Sequence, residues 1–224
     1  MPYYKDLNIL FIHIPKTGGT IIEKELRKLC DETLNTPNKP NNDLLPEPYN
    51  NVSLQHLFYN TLYDYREILK INFDDIKLFS FVRNPYNRII SDLLFFRLIN
   101  TDTRPYQVYY KIINYWGRDD LDNHNIPQYK FITDNSGNII PNIKIFNTEN
   151  LNNDNDKINK YLNININIYQ DTANKNYKKY LNKDSIRFIN EKYSKDFELF
   201  NYKKIDPYEF EKRYKKPPCF GLMI

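Results

Sequence analysis

The sequence predicts an α/β fold with three layers, in which helices flank a central, mainly parallel sheet. Three observations lead to this prediction. Short apolar runs of strand length alternate with amphipathic segments of helical length. The first apolar run leads through a glycine-containing loop directly into a helix. The 224 residues are enough for one such domain with a buried core.

The first strand and helix are the most clearly marked elements. Residues 7–14 form an apolar run rich in Ile and Phe that stops at Pro15, as expected for a buried central strand. After the turn at 15–19, Thr20 and Glu23 have the spacing of a capping box, with Thr20 as the N-cap. Four apolar residues then recur at helical spacing: Ile21, Ile22, Leu26 and Leu29.

The remaining elements follow from the same patterns. Further strands are predicted at residues 76–82 and 143–146. Helices are predicted at 64–69, 106–116, 154–162 and 184–193, and from Pro85, which suits a first helical turn, to about residue 98. Residues 31–52 are rich in Asn and Pro and indicate a surface loop, and residues 203–224 a basic tail. No linker is evident, so we expect residues 1–224 to form a single domain.

Composition excludes several classes of protein. The net charge of +4 is too small for a general nucleic-acid-binding surface, although it suits an anionic ligand held locally. No segment is apolar for long enough to span a membrane, and no secretory signal is visible, so we expect a soluble, cytoplasmic or otherwise intracellular protein without a membrane partner. Cys30 and Cys219 predict reduced thiols and no zinc site. The bias to Asn, Lys, Ile and Tyr suggests an AT-rich microbial or viral source.

The loop after the first strand predicts an anion-binding site. The N–H groups of a first helical turn lack intrahelical partners, and the helix dipole adds positive potential there. Gly18 and Gly19 let the backbone approach an oxyanion, Lys16 adds a charge, and Thr17 and Thr20 add hydroxyls. The loop is not a Walker A motif, since Lys16 precedes both glycines.

The stretch HIPKTGGT, residues 13–20, resembles the 5′-phosphosulfate loop of the carbohydrate sulfotransferases that use 3′-phosphoadenosine 5′-phosphosulfate (PAPS). The nearest likeness is to the heparan sulfate 2-O- and 6-O-sulfotransferases and their bacterial and viral relatives. Residues 79–96 are similar to the family's 3′-phosphate-binding strand and helix, in which Arg83 and Ser91 would bind that phosphate. Segments near 145–154 and 183–202 also match, so the resemblance covers residues 8–202. It implies a P-loop-like fold, PAPS as co-substrate and adenosine 3′,5′-bisphosphate (PAP) as product.

The resemblance also assigns the chemistry. His56 lies where the family has its proposed catalytic base, although Gln55 replaces the usual preceding glycine; a nearby Asp or Glu is the alternative base. Lys16 would neutralise the leaving phosphate as well as bind the donor, so no metal is expected. His124 and Gln128 resemble residues that border the acceptor pocket. His13 is interpreted as a structural residue that orients the loop.

Two other functions remain open at this level. A P-loop-like kinase that uses ATP is disfavoured because GK[ST] and a strand-end Asp for Mg²⁺ are missing. A binding module that has lost its chemistry is disfavoured because Lys16, Arg83, Ser91 and His56 are all present. The acceptor is expected to be a hydroxyl compound, most naturally a glycan, though a small alcohol or a phenol is an alternative. The oligomeric state is not predicted.

Overall fold

The computed structural model describes residues 3–30, 33–34, 44–169 and 176–214. Five strands form one sheet: β1 (Tyr3–Tyr4), β2 (Ile9–Ile12), β3 (Thr33–Leu34), β4 (Lys77–Val82) and β5 (Lys144–Asn147). Their order across the sheet is β3-β1-β2-β4-β5. The three longer strands β2, β4 and β5 are parallel to one another, while the short β1 pairs antiparallel with both β2 and β3. The prediction of a mainly parallel central sheet is therefore confirmed.

Helices cover both faces of this sheet. In chain order they are α1 (Gly19–Leu26), α2 (Tyr59–Asp64), α3 (Pro85–Phe95), α4 (Pro105–Trp116), α5 (Asn155–Leu162), α6 (Lys183–Lys192), α7 (Ser194–Leu199) and α8 (Pro207–Tyr214). The α3 helix begins as expected, with Pro85 in its first turn and the side chain of Asn84 accepting a hydrogen bond from the N–H of Tyr86.

Alternation along the strands produces the three layers. Leu10 and Ile12 of β2 pack into one buried cluster with Leu54, and Ile9 and Phe11 pack into another with residues of α1 and α5. A third cluster joins α3, α4 and α6 beside the sheet. Because both faces of β2 are covered, its sequence is apolar throughout instead of alternating with polar residues.

Several predicted boundaries are wrong for identifiable reasons. The helix expected at 64–69 lies at Tyr59–Asp64, where Leu62 is fully buried, whereas Ile68 is 54% exposed in the turns that follow. The helix α7 was not predicted. The tail from residue 203 contains α8, whose Phe210 is buried against the α3–α4–α6 cluster. Half of the predicted loop at 31–52 and the end of the tail, including Cys219, lie outside the described residues.

Candidate active site

A cleft of about 860 Å³ opens at the carboxyl ends of β2 and β4. Ligands of parallel α/β sheets bind at this edge of the sheet. The cleft is lined by most of the residues that the sequence singled out: Lys16, Gly18, Gly19, Thr20, His56, Arg83, Ser91 and His124. It also contains His13, which was expected to have a purely structural role. Thr17 and Gln128 are the two predicted site residues that do not line it.

The loop between β2 and α1 has an unusual backbone. Lys16 has a φ of 63° and Gly18 a φ of 89°, both in the left-handed region. A non-glycine residue with such a φ is uncommon and is often found at binding sites. Gly18 is the N-cap of α1 and no side chain caps the helix. The predicted capping box is therefore wrong: Thr20 is the second residue of the helix, and Glu23 is directed at His13 instead.

Gly19 is required by the packing of this loop. A Cβ atom at this position would lie 2.5 Å from Nε2 and Cδ2 of His13 and 2.8 Å from Cε1 of Phe11. Real Cβ atoms do not approach other atoms so closely, and both neighbours are rings held in the core. The glycine thus allows the imidazole of His13 to pack directly against the start of α1.

Thr17 is fully buried, and its hydroxyl donates to the carbonyl of Ile14 at 2.8 Å. The hydroxyl therefore stabilises the loop instead of facing the cleft. From the other side, the hydroxyl of Thr148 donates to the carbonyls of Thr17 at 2.5 Å and Val82 at 3.1 Å. These contacts tie the Lys16 loop to the end of β4.

Arg83 stands at the end of β4 and is joined to the Lys16 loop. Its guanidinium Nη1 donates to the carbonyl of Lys16 at 3.1 Å. Burial lowers the pKa of Arg83, and the nearby carboxylate of Glu149 opposes this shift. Ser91, two turns into α3, lines the same cleft. The structure thus brings together the two segments that were expected to bind the two ends of the donor.

Gln128 lies behind Arg83 and not at the surface of the cleft. It is fully buried, its Oε1 accepts from the N–H of Arg83, and its Nε2 donates to the carbonyl of Arg83, both at 2.8 Å. The carboxylate of Asp196 accepts from the N–H of Gln128. The expectation that Gln128 contacts the acceptor is therefore replaced by a different role, in which it fixes the backbone of Arg83.

Arg88, one turn before Ser91 on α3, is a buried cation behind the cleft. It is 1% exposed, and its guanidinium donates to the carbonyls of Pro15 at 3.0 Å, Ile126 at 2.8 Å and His124 at 2.7 Å. Arginine can bridge three carbonyls in this way because its five N–H groups form a rigid fork. Arg88 therefore fastens the Lys16 loop to the segment that carries His124.

The three histidines, which are far apart in sequence, form a row along the cleft. The ring centroids of His13 and His56 are 5.3 Å apart, and those of His56 and His124 are 4.9 Å apart. Each Nδ1 lies beside a carboxylate: His13 beside Glu23 at 2.7 Å, His56 beside Asp122 at 2.7 Å and His124 beside Asp92 at 2.8 Å. The His13–Glu23 contact is off the line of a hydrogen bond.

His56 has the most complete hydrogen-bonding environment of the three. Its Nδ1 is bound by Asp122, whose two oxygens also accept from the N–H and the hydroxyl of Ser53, each at 2.7 Å. Burial lowers the pKa of His56 to about 4, although Asp122 opposes the shift. Burial alone would raise the pKa of Asp122. The hydrogen bonds from His56 and Ser53 outweigh this effect, so the pKa of Asp122 is lowered. The pair is thus a neutral imidazole whose Nδ1–H donates to a carboxylate, which leaves Nε2 as the proton acceptor.

The same residues include a possible metal-binding group. His56, Asp122 and His124 each bring a ligand atom within 4.8 Å of the other two. However, Asp122 already accepts from both His56 and Ser53, and the Nδ1 of His124 is bound to Asp92. The Asp122 carboxylate and the two Nδ1 atoms are therefore already engaged, as in histidine–carboxylate pairs that handle protons, while Nε2 of His56 remains available.

Asp122, Asp92 and Glu23 are site residues that the sequence analysis missed. They are three of the 28 acids in the chain; the spacing of Glu23 indicated a capping box instead, and nothing in the spacing of Asp122 marks it. Asp92 could have been recognised as a site residue, because it is a charged residue on the buried face of α3, one turn after Arg88. Asp122 is 66 residues from His56, and only the fold joins them.

Comparison with known proteins identifies the fold independently of this geometry. A family model described as the sulfotransferase family matches residues 3–203. Searches of curated proteins and of solved structures found no match. In the described part of the chain, no helix is long and apolar enough to cross a membrane.

Proposed function

The chain belongs to the sulfotransferase family, and on this premise we propose that it moves a sulfuryl group from PAPS to a hydroxyl of a carbohydrate acceptor. In this proposal the 5′-phosphosulfate lies against the Lys16 loop and the 3′-phosphate lies against Arg83 and Ser91. His56 removes the proton from the acceptor hydroxyl. Family membership alone does not determine the donor, the acceptor or these roles; the geometry of the cleft supports each of them.

The main observation in support of the proposal is the contact between Arg83 and the Lys16 loop. A 3.1 Å hydrogen bond from the Arg83 guanidinium to the Lys16 carbonyl makes one cationic wall of two segments that are 67 residues apart. PAPS carries negative groups at both its 5′ and 3′ ends, whereas ATP has no 3′-phosphate. A planar guanidinium is well suited to a phosphate, and the α1 N-terminus to a second oxyanion.

The reaction needs only groups that the cleft supplies. The acceptor oxygen attacks sulfur in line with the phosphate oxygen that leaves, and a new S–O bond forms as the old one breaks. The hydroxyl proton passes to Nε2 of His56, while the Asp122 carboxylate at Nδ1 stabilises the imidazolium. Lys16 offsets the charge that grows on the leaving phosphate. The leaving group is PAP.

Ligand-dependent thermal stability tests the donor. We expect PAP to raise the melting temperature without magnesium, because a ligand that binds only the folded state stabilises it by mass action. The Arg83→Ala variant should lose most of this shift, while Arg97→Ala, an exposed arginine just after the end of α3, should retain it. Stabilisation by Mg·ATP alone would instead support the kinase.

Transfer of labelled sulfate from PAPS tests the reaction. We expect labelled product with hydroxyl acceptors, and the same rate in the presence of EDTA. A protein that binds PAP but transfers no sulfate to any hydroxyl, with His56 intact, would be a binding module and would contradict the proposal.

A further inference from the structure

Phe95, the last residue of α3, is an exposed aromatic side chain in the wall of the cleft. It is 57% exposed, whereas Leu93 on the same helix is fully buried. Its ring stacks on the imidazole of His124, with centroids 5.5 Å apart and planes 7° from parallel. The ammonium of Lys16 lies 4.0 Å from the centre of the Phe95 ring. Phe95 thus contacts a donor-loop residue and a histidine of the row.

This ring has the properties of a ligand-binding surface. Single exposed apolar residues are common on protein surfaces, but a large ring inside a cleft beside polar groups is typical of a subsite. Here the polar residues that line the same cleft include Gln55 and Asp120. An aromatic face next to hydrogen-bonding side chains suits a ring that has apolar C–H groups on one face and hydroxyls at its edge.

The charges that line the cleft do not favour an anionic acceptor. Among the described lining residues, Asp122 is paired with His56 and Glu23 with His13 and Arg27. Asp120 is paired with Arg118, which lies outside the cleft wall, at 2.7 Å. Of the lysines and arginines among the described lining residues, Lys16 and Arg83 are assigned to the donor and Arg27 is paired with Glu23, so an acceptor carrying carboxylates or sulfates would find no further cation to bind it.

We propose that Phe95 is the acceptor-binding platform and that the acceptor is an uncharged sugar whose C–H face stacks on this ring. The inference rests on the proposed function and narrows its substrate class. It also predicts an order of binding. The Lys16 ammonium lies over the Phe95 ring, and a phosphosulfate at the Lys16 loop would attract this ammonium away from the ring. Donor binding therefore uncovers the platform for the sugar.

Kinetics with Phe95 variants test the platform. For Phe95→Ala we expect the KM for a neutral methyl glycoside to rise roughly two- to tenfold, the range for loss of one aromatic stacking partner. The kcat should change less than KM, and Phe95→Tyr should restore the lower KM. PAP affinity should be unchanged or somewhat tighter, because Lys16 loses its contact with the ring. Tyr110→Ala, an equally exposed aromatic on α4 and outside the cleft, should change neither constant.

A second set of experiments tests which acceptors are used and in which order the donor and the acceptor bind. The probes are neutral methyl glycosides, the matching uronic acids and sulfated sugars, and a phenol, each with labelled PAPS. Saturation-transfer NMR of the glycosides is recorded with and without PAP. We expect transfer and NMR contact for the neutral sugars, with contact strengthened by PAP.

Three results would overturn the platform or the substrate class: preferred sulfation of the anionic sugars or the phenol, no NMR contact with any neutral sugar, or an unchanged KM in Phe95→Ala. If PAP itself fails to stabilise the wild-type protein, it is the proposed function that fails.

Discussion

The Nδ1 atom of His56 lies 2.7 Å from Oδ2 of Asp122, and the same oxygen accepts the hydroxyl hydrogen of Ser53 at 2.7 Å. A carboxylate held from two sides cannot rotate away from the imidazole, so it fixes which ring nitrogen carries the proton. It also stabilises the imidazolium that forms when Nε2 accepts a proton. Asp122 is therefore a positioning residue for the proposed base.

Replacing Asp122 by Asn should separate catalysis from donor binding. The amide removes the negative charge and offers His56 a donor as well as an acceptor, so the useful tautomer is no longer enforced. We expect kcat to fall at least tenfold, because a positioned general base contributes roughly a hundred- to a ten-thousandfold, with little change in PAP affinity. Asp119→Asn, an exposed acid three residues before Asp122, is the control. Equal kcat values for the two variants would remove Asp122 from the mechanism.

Replacing Lys16 by Ala tests the donor loop. Removal of a charge that stabilises the leaving phosphate should lower kcat by roughly a hundred- to a thousandfold, as for other preorganised groups that stabilise developing charge. PAP, which lacks the sulfuryl group, should lose less affinity than PAPS. Lys24→Ala, on the exposed face of α1, should have wild-type rates. Steady-state kinetics and PAP titration distinguish a lost catalytic charge from a damaged loop, since a damaged loop would weaken PAP to the same extent as PAPS.

Most of the fold could be predicted from the sequence because its signals are local. The apolar runs at β2 and β4 and the Pro85 start of α3 are properties of consecutive residues, and the structure has them within a few positions. The prediction of α2 failed because its register depends on where Leu62 meets the core. A six-residue helix has too few positions to reveal that face by periodicity.

The candidate site was predictable only in part, because some of its residues are marked by the local sequence and others only by contacts between distant segments. The Lys16 loop and Arg83 are each embedded in a distinctive local segment. Asp122 and Arg88 acquire their roles through contacts with residues 66 and 73 positions away. Gln128 was associated with the right region but given the wrong contact, because a sequence pattern does not tell whether an amide faces the cleft or the backbone behind it.

Gly19 and Gly117 form a matched pair for testing the packing of the loop. A Cβ at Gly19 would lie 2.5 Å from the His13 ring, whereas a Cβ at Gly117 would have its nearest neighbour at 4.0 Å. We expect Gly19→Ala to lower the free energy of unfolding by about 1–3 kcal/mol, as for other overpacked sites. Gly117→Ala should change it by less than about 0.5 kcal/mol. Urea denaturation measures both, and a Gly19→Ala protein as stable as Gly117→Ala would contradict the close contact.

The ionisation of His56 should appear in the pH dependence of stability. Its pKa is lowered to about 4 in the folded protein by burial, against about 6.5 in an unfolded chain. Between these two values the unfolded state binds more protons than the folded state, so stability rises with pH and is lost as the pH falls below 6.5. From pH 7 to pH 5 this single group should cost about 2 kcal/mol. The measurement is the free energy of unfolding by urea at both pH values for the wild type and for His56→Gln. The variant has no group to titrate at this position, so its loss should be smaller than that of the wild type by about this amount, whatever its stability at pH 7. Equal losses in the two proteins would show that His56 titrates in the folded state as it does in the unfolded chain, and that its imidazole is not held neutral by burial.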